Sequence, residues 1–376
     1  MALTQKSRTN LRTNLRQNRT QRADKKRVTR RIASIDLFRI VAIISVVVVH
    51  ARPFGFAGPD NPKHLLATVI DLSCRFAVPY FFMVSGYFLG ERIAAGKSPL
   101  RVLAKSVRRL LMLYVGWGVL YLLDPFYLLS DCSLTGWFMA VNQRVTTLPV
   151  YDPNFWLEGT QEIMWFLPAL IIGLSAVAFA VHCHWQKYLP YVAIALYALG
   201  LMWGSYSLLW SGSGTIDFAF NTRNGPFFSP LCVTLGWLIS SGQAQGRWRV
   251  RTQGAISLIC CGLLLQILEA KGLTLLAETT FRSFDYLVGT LSVGLGVLLL
   301  ALENPNWGEA WPILSWSQYT LGIYLVHNRL INLLEPISRR YNNTVWELLF
   351  PLGGYVVSLG LVAAIARLPK MRRWVS

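Results

Sequence analysis

Arg39 and His50 stand eleven residues apart in DLFRIVAIISVVVVH, and the run between them is apolar apart from one serine. In an α-helix that step returns His50 to within about 20° of Arg39, roughly 16 Å further along the axis. A guanidinium and an imidazole then share one face of an apolar helix, and ionisable groups in such a setting are costly enough to be read first as functional. The chemistry suits transfer to a nucleophile: an imidazole takes a proton near neutral pH, and a guanidinium holds an anionic oxygen. Asp36, three residues before Arg39, falls on the same stripe and is placed to pair with it, which leaves His50 free.

The elements that must carry this pair are membrane helices. Hydrophobic residues make up 53% of the 376-residue chain and charged ones only 14%, a balance beyond what one soluble core hides. Apolar segments fall near 35–52, 68–89, 110–129, 164–182, 188–208, 226–241, 253–270, 284–302, 316–335 and 345–366. The expected fold is therefore an all-α integral membrane protein of about ten transmembrane helices, the sixth of them short. Lys and Arg concentrate in the N-terminal arm, the 90–109 loop, residues 247–251 and the C-terminus, which places both termini in the cytoplasm of a cell inner or plasma membrane.

Residues 1–31 hold eleven Lys and Arg against one acid, Asp24, and are rich in Gln, Asn and Thr. This arm reads as a disordered basic tail whose partner is the anionic inner leaflet. Nucleic acid is excluded as a partner, because the arm has neither aromatics nor a folded basic face. The arm is also too long and polar for a cleavable signal. Residues 32–366 form the transmembrane domain, and 367–376 a short basic cytoplasmic end. The six cysteines have no metal or disulfide spacing, so no metal site is expected.

Placed on this topology, the intramembrane polar residues His50, Arg75, Glu162, Arg223 and His327 gather at one level, near the outer face. Thr320, Tyr324 and His327 fall on one stripe of the ninth segment. A polar pocket opening outward accounts for both. On the inner side, AKSVRRL puts Lys105, Arg108 and Arg109 where they can grip phosphates, although the positive-inside bias alone also produces such a cluster. Asp71 and Arg75, four apart, read as an ion pair, and Ser85-Gly86 as a helix-packing position rather than a nucleophile.

Several of these pieces, in this order, resemble the membrane acyltransferase-3 family, whose members O-acylate envelope polysaccharides, lipid-linked sugars and some small metabolites. They are the Arg-x10-His of DLFRIVAIISVVVVH, VPYFFMVSGYFL, MWFLPAL, TRNGPFFSPLCVTLGWLI and YTLGIYLVH, together covering about residues 33–366. The resemblance implies that Arg39 and His50 are essential, that Ser85, Gly86, Trp165, Arg223, Asn224 and His327 recur, and that acyl-CoA arrives from the cytoplasm. Many members carry a His just before Trp-Phe-Leu, where this chain has Ile163 and Met164 after Glu162. The esterase-like domain that some members append is not expected.

On this reading His50 is the general base and Arg39 orients the donor or stabilises its oxyanion. Arg223, Asn224, Glu162, Trp165, His327 and Tyr324 meet the acceptor, a hydroxyl of an envelope polysaccharide, glycolipid or lipid-linked sugar. Lys105, Arg108 and Arg109 hold the phosphates of acyl-CoA, a co-substrate rather than a resident cofactor, with acetyl the first choice of acyl group. The rivals are acylation of a small secondary metabolite and a transporter or flippase for a lipid-linked sugar. The transporter reading suffers from the lack of a visible internal repeat.

Overall fold

The computed structural model describes residues 31–55, 62–123, 133–146, 154–209, 221–246, 251–276, 284–338, 340–341 and 343–375, and among them helices and turns but no strand. Of the expected disordered tail, residues 1–30 lie outside the described residues. The helices are α1 Ala33–Ala51, α2 His64–Cys74, α3 Ala77–Ala94, α4 Pro99–Leu123, α5 Leu134–Thr146, α6 Phe155–Glu158, α7 Phe166–His182, α8 Leu189–Trp203, α9 Ser229–Ala244, α10 Thr252–Leu276, α11 Val288–Glu303, α12 Thr320–Ser338 and α13 Thr344–Ala366.

Every apolar segment read from the sequence contains a helix, but among the described residues six stretches are both long and apolar enough to cross a membrane. These are Ala33–Ala51, His64–Ala94, Pro99–Leu123, Glu162–His182, Thr252–Leu276 and Thr344–Ala366. Helices α8, α9 and α11 have only 15 or 16 residues, about 24 Å at best against a hydrocarbon core of about 30 Å. Helix α12 is long enough but carries His327, Asn328, Arg329, Asn332 and Glu335, which lower its hydropathy. Helix α9 buries most of its length, so protein neighbours rather than lipid surround it.

Helix α3 is the axis of the bundle, packed on α1, α7, α9 and α11. Its crossing with α9 is made by two glycines: a Cβ on Gly86 would lie 2.0 Å from the Val233 carbonyl oxygen, and one on Gly236 1.9 Å from that of Met83. Neither position admits a side chain, so the backbones touch, as small residues allow in membrane helices. The packing reading of Ser85-Gly86 therefore holds, with the Ser85 hydroxyl donating to the Phe81 carbonyl at 2.8 Å.

The second apolar segment is not one straight helix. It breaks at Arg75-Phe76, between α2 and α3, because the ring of Pro79 clashes with the carbonyl four residues earlier, that of Arg75. Helix α1 packs against α3, α11, α12 and α13, tied by Tyr80 Oη donating to the Ile35 carbonyl at 3.0 Å and Ser34 Oγ to that of Ala301 at 2.5 Å.

The basic C-terminal segment folds back onto the bundle. Arg367, Lys370, Arg372 and Arg373 are exposed, but Val375 is buried. Trp374 rests on Gly116, and Trp117 Nε1 donates to the Trp374 carbonyl at 3.0 Å. The Val375 carbonyl lies against Gly322 of α12.

Candidate active site

Asp36 receives two guanidinium groups, Arg39 at 3.2 Å and Arg31 at 2.5 Å. Arg39 also stands 5.3 Å over the Phe88 ring, with about a third of its side chain exposed. It borders a cavity of about 480 Å³ enclosed by α1, α3, α4, α7, α12 and the 3₁₀ turn Pro312–Tyr319. Arg39, Arg92 and Arg109 stand toward one end; Val46, Phe166 and Tyr324 close the other. The rest of the wall is mostly apolar, broken by Ser85, Ser106, Ser317, Gln318 and Thr320.

Of the three cations expected to hold phosphates, only Arg109 borders this cavity. The reason is helical phase: Val102, Ser106, Arg109 and Leu110 face inward from α4, while Lys105 sits about 85° and Arg108 about 145° from the centre of that face. Both are exposed. Arg92, across the loop, joins Arg109 instead.

His50 lies one residue from the end of α1, and its ring meets that of His327 edge-on, centroids 4.8 Å apart. His50 Nδ1 lies 2.9 Å from the Val46 carbonyl. A carbonyl only accepts, so Nδ1 carries the hydrogen and Nε2 keeps its lone pair. His327 has the same tautomer, its Nδ1 facing the carbonyls of Tyr324 and Ile323 at 2.7 and 3.2 Å. His50 is half-buried and His327 wholly buried. Tyr324, one turn earlier, links them to the cavity, with its ring centroid 6.0 Å from that of His327 and 5.3 Å from that of Phe166.

Arg75, Glu162 and Arg52 are charged groups close enough to act on His50. Two of them belong to a second constellation. Arg223 reaches Glu162 at 2.5 Å, Asp285 at 3.0 Å and Glu158 at 3.3 Å, and lies 5.4 Å over the Trp165 ring. Burial works against its charge, but the three carboxylates outweigh it and raise its pKa. Asn224 donates to Glu158 at 2.7 Å and to Asn154 at 3.3 Å. Burial pushes the Glu158 carboxyl up, against the opposing pull of Asn224 and Arg223. Arg75 pairs with Asp71 at 3.0 Å, as the four-residue spacing predicts, and with Asp285 at 3.8 Å.

The predicted level of polar residues is thus a real cluster, but Arg223 is already saturated with carboxylates rather than poised to grip an anion. Sequence reasoning missed Glu158 and Asp285. A signal existed for the first, since Glu158 precedes Glu162 by four residues; Asp285 comes from a distant segment and had none. Arg92 was likewise passed over.

A family model described as an acyltransferase domain matches residues 32–367, and the chain belongs to that family, acyltransferase-3. Over 347 residues it is 28% identical to a serine/alanine racemase of Enterococcus gallinarum, covering 89% of this chain and 46% of that protein. Two amino-acid racemases of Enterococcus faecalis are also similar. One is 28% identical over 61% of this chain and 30% of its own length, the other 26% over 82% and 42%. The chain therefore spans less than half the length of these curated relatives. No solved structure matches. Family and apolar helices together describe a multi-pass membrane protein with an acyltransferase-family domain.

Proposed function

We propose that the protein moves an acyl group, acetyl first among candidates, from acyl-CoA to a hydroxyl of an envelope polysaccharide, glycolipid or lipid-linked sugar. The observation that carries this reading is the cavity whose one end holds Arg39, Arg92 and Arg109 and whose other end reaches Tyr324, beside the His327–His50 contact. The arginine end suits the phosphates of a cytoplasmic donor, and the apolar middle suits an extended thiol arm that carries no charge. His50 Nε2 takes the proton of the acceptor hydroxyl as its oxygen attacks the thioester carbon. The C–S bond then breaks, and the proton passes from His50 to the leaving sulfur. Arg39 orients the donor. Trp165 and Glu162 line the acceptor's approach, with Arg223 and the wholly buried Asn224 holding that wall together. In a cell inner or plasma membrane, with both termini cytoplasmic, the two substrates meet from opposite faces, and the basic tail lies along anionic lipid.

The relatives' names favour a second acceptor class, a small amino acid with a hydroxyl. Purified protein incubated with radiolabelled acetyl-CoA and either envelope glycans, serine or alanine separates the readings. Label is expected in the glycan fraction. Label in serine but not alanine would name the small acceptor, inverted chirality of unlabelled amino acid would name a racemase, and label nowhere would overturn acyl transfer.

The donor end makes its own prediction. Arg92→Gln with Arg109→Gln should raise KM for acyl-CoA about tenfold or more, since each cation removes a charge-assisted contact of about 1.5–3 kcal/mol. Lys105→Gln with Arg108→Gln should leave KM within about twofold, because neither side chain borders the cavity. Steady-state kinetics with varied acyl-CoA reads both, and the reverse ranking would move the phosphates to the exposed face of α4.

A further inference from the structure

His327 presents an anomaly. Its Nδ1 is satisfied by its own helix, while Nε2 is buried and has no hydrogen-bond partner among the described residues. An unmet buried acceptor costs about 1–3 kcal/mol. Phenylalanine would make the same edge-on contact with His50 without that cost. Packing alone therefore does not explain an imidazole here, and an unsatisfied group of this kind calls for a reason.

The reason lies in what His50 must become. Taking a proton turns its ring into a cation at a half-buried position, where solvation is reduced. The neighbour at 4.8 Å is a neutral imidazole. Its hydrogen-bearing Nδ1 is turned back toward the Ile323 and Tyr324 carbonyls, which leaves the lone pair on the distal edge of the ring. That is a fixed dipole with its negative end away from the α12 backbone, on a ring in edge-on contact with the ring of His50. A preoriented dipole in a dry site stabilises charge as it develops, without reorganising at the moment of reaction.

We infer that His327 is a positioning residue for His50: its unprotonated, unpartnered Nε2 stabilises the imidazolium that His50 forms during acyl transfer. His327 itself is wholly buried and does not take the acceptor's proton. This rests on the proposed acyl transfer, in which the proton goes from the acceptor hydroxyl to His50 and then to the leaving sulfur. It also reassigns His327 from the acceptor-binding set to the support of the base.

The test uses the full chain in detergent or nanodiscs, with acetyl-CoA and whichever acceptor the wild type labels. His327→Phe keeps the ring contact and deletes the lone pair. His327→Gln returns an acceptor atom on a flexible stem. A direct donor to a reacting atom is worth about 100- to 1000-fold, and a group acting through a neighbour less, so His327→Phe should lose about ten- to a hundredfold in kcat. KM for both substrates should stay within about twofold, and His327→Gln should recover most of kcat. A Phe variant as active as wild type would overturn the inference while leaving acyl transfer intact, as would loss confined to KM. If the Phe variant does not fold by size-exclusion profile, the Gln variant decides: activity near wild type supports the inference, and loss beyond a hundredfold overturns it. Failure of the wild type to label any acceptor would instead overturn the underlying reading.

Discussion

Replacing His50 with alanine is expected to lower acyl transfer by about 10²- to 10⁴-fold, the usual worth of a positioned general base. Membrane insertion and abundance should change little. Among the described residues the imidazole hydrogen-bonds only the Val46 carbonyl of its own helix, so its removal leaves no hydrogen-bond partner on another of these elements unsatisfied. A small neutral residue at the end of an apolar span also inserts at least as readily as histidine. Label transfer from acetyl-CoA, normalised to folded protein, reads the effect. Activity within tenfold of wild type would remove His50 from the base role and leave Arg39 as the centre of the pair.

The second large effect concerns folding rather than chemistry. Arg223→Ala should destabilise the protein by about 3–5 kcal/mol, the cost of breaking a buried ion pair from one side. Glu158, Glu162 and Asp285 would be left facing one another without the cation that holds them. The side chains of Arg223 and Glu158 are only 11% and 15% exposed, so solvent cannot replace the lost contact, whereas Glu162 at 71% contributes little. Thermal melting in detergent should show the loss. Adding Asp285→Asn to the alanine variant should recover part of it, because that change removes one of the stranded charges. An Arg223→Ala protein that melts like wild type but has a raised acceptor KM would restore Arg223 to direct acceptor binding.

Local spacing made the short-range pairs legible in the sequence. Asp36–Arg39 and Asp71–Arg75 are three and four residues apart on a helix, where geometry brings side chains together. The shared level of His50 and His327 followed from counting along two apolar segments, and their rings do touch. Two kinds of fact stayed hidden. The meeting of Arg223 with Asp285 depends on how loops from distant segments converge, and no periodicity encodes that. Which of Lys105, Arg108 and Arg109 borders the cavity depends on which face of α4 turns inward, and the basic cluster reads the same whichever way the helix is rotated. The ten apolar segments were all visible as helices, yet length and polar content divide them into those able to cross lipid and those sheltered by their neighbours.

The glycine crossing of α3 and α9 has a mechanical corollary. With backbone set directly on backbone at Gly86 and Gly236, there is no side chain to rock or slide, so these helices behave as one stiff post. That post supplies the fixed wall of the cavity through Val78, Ser85 and Arg92. Any widening needed to admit or release a bulky donor falls to the opposite wall, α4 and α12. What clasps that wall is the bond from the Tyr121 hydroxyl to the Leu325 carbonyl and the turn at Trp374, seated between Gly116 and Gly322. The clasp on this wall therefore includes the turn at Trp374 and Val375, far along the chain from the Arg39–His50 pair.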